Sequence, residues 1–333
     1  MNKVIKKIIK RILIGIVGVL VLVSVVISAL YFIDRNKRFA ELESNSQLAE
    51  TSVGPIEYKI YGDKGPVILF LHGSGGGCDS TPVIQPKGYR VLVPSRPGYL
   101  RTPLEVGKTP AEQALAFSAL LESLDIDEVA VTGVSGGGPP AICFAALYPE
   151  KTSALTLLFA VSQPMSSSES NEAPSFLKSD FFTWSLFSLM RNESVLKAML
   201  EEIFQDPNTR QLIMEDPDKK EDIKGFLWNS WPPSKRSQGI QNDGKQFEIL
   251  ALPASNIKVP TLIIHGSEDK DVPVSQSKKL TELIPGSKLV ILEGVNHFGL
   301  LIKIEEIEEF INEFLDDVNS SKSNKEILPS TLP

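Results

Sequence analysis

The pattern of apolar and polar positions changes character three times along the chain. Ile12–Ile33 is an uncharged run of 22 residues, interrupted only by Gly15, Gly18, Ser24 and Ser28. As a helix it spans ~33 Å, enough to cross a hydrocarbon core of ~30 Å. Tyr31 and Phe32 stand at its far end, where interfacial aromatics lie. Residues 34–52 then turn polar and read as a short stalk. Beyond them, short β-branched runs alternate with helical patterns, the signature of a mostly parallel sheet covered by helices. The expected strands are Ile56–Tyr61, Val67–Leu71, Arg90–Val93, Glu128–Thr132, Ala154–Ala160, Thr261–Ile264 and Lys288–Leu292. Several are apolar at consecutive positions, as strands buried on both faces should be. Thr109-Pro110-Ala111-Glu112 is a capping box with Pro in the first turn, and it opens a helix to about Ser123.

The alternation breaks between residues 162 and 252. Phe-rich amphipathic patterns run from Phe176 to Phe204, followed by polar loops, Trp228, Trp231 and Pro232-Pro233, with no strand pattern. A helical insertion between two core strands reads as a cap over the sheet. The expected organisation is therefore a basic N-terminus (1–11), a membrane span (12–33), a stalk (34–52), a core in two parts (53–161 and 253–317) around the cap (162–252), and a disordered polar tail (318–333).

Charge sharpens the picture of the first segment. Up to residue 38 there are eight basic residues against Asp34 alone, leaving 26 basic and 40 acidic residues for the rest. A body that acidic repels nucleic acid, so no nucleic-acid partner is expected. Five basic residues precede the apolar run and three follow it closely, which places the N-terminus inside and the body outside the membrane. A cleavable signal peptide is the rival reading, with Val26-Ile27-Ser28 as a weak cleavage site, but the run continues to Ile33. Both readings export the body. Cys78 and Cys143 belong to no CxxC or Cys/His cluster, so neither a zinc site nor a disulfide framework is expected.

Three motifs carry chemistry. Gly133-Val134-Ser135-Gly136-Gly137 follows an expected strand and precedes a helix, the setting in which a G-x-S-x-G turn exposes a nucleophilic Ser135. A serine hydroxyl needs a positioned base, and the chain has three histidines: His72, His265 and His297. His297 lies on the loop after the last strand, in the order Ser, acid, His, and is the expected base. His72 and His265 each precede a Gly at a strand end and are expected to hold loops by hydrogen bonding. The acid must come from Gly266-Ser267-Glu268-Asp269-Lys270-Asp271, and spacing leaves Glu268, Asp269 and Asp271 open. His72-Gly73-Ser74-Gly75-Gly76-Gly77 is small enough to bring backbone N–H groups to an oxyanion, with Gly136 as the second donor. The patterns for phosphate or dinucleotide binding are absent, and no cofactor is expected.

Taken with Ser95-Arg96-Pro97-Gly98-Tyr99 and Asn296-His297-Phe298, these motifs resemble the α/β-hydrolase superfamily over about Ile56 to Leu315. The resemblance implies that Asp269 is the acid, three residues after Gly266 and four before Pro273. It also implies that Ser74 and Gly136 supply the oxyanion N–H groups and that residues 162–252 are the cap. Two departures stand out. Ser95 occupies a position where many members carry Asp, and Leu100-Arg101-Thr102 replaces the usual Gly-x-Ser. Ser rather than Asp as nucleophile argues against a dehalogenase or epoxide hydrolase. The expected activity is hydrolysis of a small ester-type acyl substrate through Ser135, His297 and Asp269; thioester, amide, peptide and C–C bonds share that machinery. A tethered receptor or scaffold with slow or no turnover is the alternative.

Overall fold

The computed structural model describes residues 3–80, 84–165 and 178–327. It divides into two units, one ending at Asn45 and one beginning at Ser46.

The first unit is a single helix, α1 (Lys3–Ser44), of 42 residues. It contains the apolar run and is long and apolar enough to cross a membrane, as an anchor or a signal sequence would be. The separate stalk expected from polarity is not there. Residues 34–44 continue the helix, because they are rich in Ala, Leu, Glu, Lys and Arg and contain neither Gly nor Pro. The rest of the expected stalk opens the sheet of the second unit as β1 (Gln47–Thr51), hairpin-paired to β2 (Gly54–Tyr61).

After β2 come β3 (Val67–Leu71), β4 (Arg90–Pro94), α2 (Pro110–Ser123), β5 (Val129–Val134), α3 (Gly138–Leu147) and β6 (Thr152–Leu158). The sheet resumes with β7 (Thr261–Gly266), α9 (Ser275–Leu283), β8 (Lys288–Leu292) and α10 (Ile304–Ile327). The eight strands lie in the order β1-β2-β4-β3-β5-β6-β7-β8. The β1/β2 and β2/β4 pairs are antiparallel and every later pair is parallel. The carboxyl ends of β3 to β8 therefore share one edge, with β5 at its centre. Loops after parallel strands converge on such an edge, which is why it carries ligand sites in open α/β sheets.

Side chains alternate across the pleat, so each strand feeds two cores. Val67, Leu69 and Leu71 of β3 pack with Phe117 and Leu120 of α2, Ile142 and Phe144 of α3 and Leu280 of α9. Ile68 and Phe70 point the other way, into a core with Ile307, Ile311 and Phe314 of α10. The unbroken apolar runs in the sequence reflect this burial on both faces. The capping box at α2 forms as expected: Glu112 N donates to Thr109 Oγ1 and Thr109 N to Glu112 Oε2.

Between β6 and β7 the chain forms α4 (Asp180–Leu189), α5 (Glu193–Ile203), α6 (Pro207–Glu215), α7 (Pro217–Asn229) and α8 (Ser237–Glu248). The insertion is helical among the described residues, and Phe176 and Leu177 of the expected pattern lie outside them. The tail differs from expectation. α10 runs on through residues 318–327 rather than ending near Val318, because nothing in the polar sequence there breaks a helix; residues 328–333 lie outside the described part. Cys143 sits on α3 and Cys78 in the loop after β3; both are free and buried, and burial pushes both thiols up to about 12.

Candidate active site

Ser135 sits where β5 turns into α3, with φ of +50°. A non-Gly residue takes that left-handed conformation only when its surroundings enforce it. Here the enforcement is close packing. A Cβ at Gly133 would lie 2.6 Å from that of Ala141, and one at Gly137 would run into the carbonyl oxygen of Leu71. The chain can make this turn only with glycine on both sides of Ser135. The turn lifts Oγ off the carboxyl edge of the sheet, at the amino-terminal end of α3.

The loops after β7 and β8 bring partners to it. Ser135 Oγ lies 3.0 Å from His297 Nε2, and His297 Nδ1 lies 2.7 Å from Asp269 Oδ2. One tautomer satisfies both: Nδ1–H donates to the carboxylate and Nε2 accepts from the serine hydroxyl. Of the three carboxylates left open by spacing, only Asp269 meets His297 in this way. Asp269 is 6 % exposed, and its other oxygen accepts from the N–H groups of Asp271 and Val272. Burial by itself would raise its pKa. Hydrogen bonds from His265 and His297, the charge on His297 and the Val272 N–H outweigh burial and bring the carboxyl down to about 2. Asp269, Asp271 and His297 also group as metal ligands might, but Asp269 and His297 already spend those atoms on each other.

His265 does more than hold a loop. Its buried ring contacts Ser277 Oγ (2.6 Å) and the Val272 carbonyl (2.8 Å), and Nε2 stands 3.2 Å from Asp269 Oδ2. The acid is thus gripped by both imidazoles. Phe159 stacks on His265 and meets His297 edge-on, while Phe298 closes the other side of His297. Asn296 sets the His297 turn: its Oδ1 accepts from Gly299 N, and its Nδ2 donates to the Ile203 carbonyl at the end of α5.

The glycine-rich loop after β3 runs alongside the nucleophile. A Cβ at Gly73 would lie 3.2 Å from that of Ser135. One at Gly136 would collide with Ser74 Oγ and lie 3.1 Å from both Ser74 N and the Phe247 ring. Ser74 and Gly136 therefore stand against each other beside Ser135. His72 anchors the base of this loop as expected: Arg96 N donates to its Nε2 and Nδ1 donates to the Gly73 carbonyl. Burial, then the Arg96 charge, hold His72 well below the ordinary histidine range, so it is neutral in the folded protein. The unfolded chain takes up a proton near the ordinary value of about 6.5 and the folded one does not, so acid favours unfolding. Urea titrations should show stability falling below pH ~6.5, by at most ~1.4 kcal/mol per pH unit from this group. His72→Gln should lose less over the same range, and an equal slope in both proteins refutes the assignment.

The two departures from the family pattern turn out to be one feature. Ser95 Oγ donates to Glu57 Oε2 (2.9 Å), and Arg101 Nε pairs with Glu57 Oε1 at 2.7 Å. Glu57, fully buried on β2, also accepts from Arg101 N and donates its own N–H to Thr102 Oγ1. The carboxylate missing at residue 95 is supplied from β2, and Arg101 neutralises it. Sequence reasoning missed Glu57, because nothing local marks one acidic residue in a strand as the partner of a loop some 40 positions away.

Comparison with known proteins agrees with this architecture. The family model described as alpha/beta hydrolase fold matches residues 66–303. A relative from Bacillus subtilis, the uncharacterized hydrolase YcgS, is 32 % identical over 73 % of this chain and 88 % of its own length. A 2-hydroxy-6-oxononadienedioate/2-hydroxy-6-oxononatrienedioate hydrolase from Klebsiella pneumoniae is 24 % identical over 76 % of this chain and 88 % of its own. Among solved structures, an alpha/beta hydrolase fold protein from Nakamurella multipartita superposes with a TM-score of 0.73 at 29 % identity, covering 81 % of this chain and 98 % of that one. A mostly parallel sheet with Ser135, Asp269 and His297 on the loops after β5, β7 and β8, matched over that span, places the chain in the α/β-hydrolase fold family, and it is a hydrolase of that fold.

Proposed function

We propose that the protein is a membrane-anchored serine hydrolase that cleaves ester-type acyl substrates through Ser135, His297 and Asp269. The observation that carries the reading is the unbroken hydrogen-bonded chain from Ser135 Oγ through His297 to Asp269. Ser135 Oγ attacks the carbonyl carbon as His297 Nε2 takes its proton, and the N–H groups of Ser74 and Gly136 receive the developing oxyanion. Collapse expels the alkoxide, which leaves with the proton from His297. Water, deprotonated by the same nitrogen, then releases the acid and restores Ser135. Asp269 keeps Nδ1 protonated and stabilises the imidazolium. Phe298 and Phe247, part-exposed beside the reacting groups, favour an apolar acyl chain. The helix α1 supports a tether, and the excess of basic residues before its apolar run supports a body outside the cytoplasm.

A second reading has one observation in its favour. The Klebsiella relative is named for a dioate substrate, so C–C bond hydrolysis of an anionic substrate shares the machinery. Against it, the buried cations beside the glycine-rich loop, Arg96 and Arg236, are already engaged by Asp243 and Asp79, which supports a neutral acyl group. The hydrogen bond between Ser135 Oγ and His297 Nε2 speaks against a receptor or scaffold role without turnover. Washed membranes carrying the full chain, treated with a fluorophosphonate probe and then a panel of p-nitrophenyl esters, test the reading. Labelling at Ser135 in the membrane fraction and turnover of esters are expected. An unlabelled Ser135 would overturn the enzyme reading, and label found only in the soluble fraction would overturn the tether.

A further inference from the structure

The loop that carries the first oxyanion donor is poorly equipped to hold itself still. Between His72 and Cys78 every residue but Ser74 is glycine, and Gly75 sits at φ +84°. Glycines give the backbone freedom that a preorganised N–H donor cannot tolerate. Ser74 is therefore the one side chain by which that stretch can be gripped.

It is gripped from the cap. Ser74 Oγ donates to Asp243 Oδ2 at 2.6 Å, across 169 residues of chain. Asp243 lies on α8 and is 4 % exposed. Tyr99 Oη donates to the same oxygen at 2.6 Å. Arg96 pairs with both oxygens, Nη1 to Oδ1 at 2.9 Å and Nη2 to Oδ2 at 2.6 Å. Such a fork satisfies a buried carboxylate and fixes its plane. Arg96 Nε donates in turn to the His72 carbonyl, so one guanidinium holds the base of the loop and orients the group that holds its tip. α8 itself cannot shift easily. Gly239 N donates to the Gly98 carbonyl, Leu100 N donates to the Lys235 carbonyl just before α8, and a Cβ at Gly239 would run into the Tyr99 ring.

We infer that Asp243 is a positioning residue of this hydrolase, setting the Ser74 N–H of the oxyanion hole from the cap, so that α8 is a fixed part of the catalytic apparatus. The inference rests on the serine-hydrolase reading. It requires that Asp243 act through Ser74 and not merely through stability. The test is the rate of fluorophosphonate labelling, together with kcat and KM on a p-nitrophenyl ester, in the full-length protein. Ser74→Ala and Asp243→Asn are each expected to slow labelling and kcat by about tenfold with KM nearly unchanged, since the donor is loosened rather than deleted. The double variant should be no slower than either single one, because both break the same link. Thermal melts separate unfolding from mispositioning; should Asp243→Asn not fold, Ser74→Ala alone carries the test. A wild-type labelling rate in Ser74→Ala or in folded Asp243→Asn overturns the inference, as does a double variant slowed about a hundredfold. A wild-type protein unlabelled at Ser135 overturns the enzyme reading as well, which distinguishes the two failures.

Discussion

Ser135→Ala is expected to lower kcat for a p-nitrophenyl ester by on the order of 10⁵-fold while leaving KM almost unchanged. In the proposed mechanism the hydroxyl oxygen forms the bond to the acyl carbon, and its loss leaves only the oxyanion donors and the binding surface to accelerate attack by water. Substrate binding does not depend on that atom, so the ground state is little affected. His297→Ala should cost a similar factor, and combining the two should cost little more, because nucleophile and base act as one unit. Steady-state kinetics on the purified full chain decides the matter. If Ser135→Ala keeps more than about a hundredth of the activity, the nucleophile lies elsewhere.

Asp269→Asn should lower kcat by on the order of 10⁴-fold without unfolding the protein. The carboxylate accepts from His297 Nδ1–H, and an amide presenting NH₂ in its place would turn the imidazole to the tautomer whose Nε2 carries the proton. That nitrogen could then no longer accept from Ser135. The same substitution has a signature in acid. Because the folded Asp269 titrates at about 2, below its ordinary value of 3.8, its ionised form adds stability on the order of 2 kcal/mol. That contribution is complete above about pH 4 and is lost as the pH falls through about 2. Acid titrations followed by circular dichroism should show a loss over this window in the wild type that is absent in Asp269→Asn. A mutant with unchanged kcat would reassign the acid to Glu268 or Asp271.

Much of the active site was legible because its demands are local. The turn at Ser135 needs glycine at Gly133 and Gly137 whatever surrounds it, and it needs a strand before and a helix after. Each of those leaves a mark within a dozen residues. The strand β3 began and ended where its apolar run did, since burial on both faces permits no polar interruption. β1 left no such mark. Of its five residues, Gln47 to Thr51, only Leu48 is large and apolar, and it is exposed on the sheet edge, so only pairing with β2 makes them a strand. α1 and α10 outran their expected ends for the opposite reason: a polar stretch without Gly or Pro can continue a helix as readily as it can form a linker.

The sequence alone determined the class of fold, the candidate nucleophile and base at Ser135 and His297, and an N-terminal segment apolar enough for a membrane. These follow from periodicity, apolar length and close-contact glycines, which neighbouring residues encode. Only the tertiary structure decided the rest. It put Asp269, which spacing left level with two other carboxylates and the resemblance implied, in contact with His297, and it brought His265 onto that acid. It matched Ser95 and Arg101 to Glu57, and it set Asp243 of the cap against Ser74. Each of these joins a charged group to partners outside its own motif, most of them dozens of residues away. A charge is buried only where the fold delivers its counterpart, and no local pattern states which counterpart that will be.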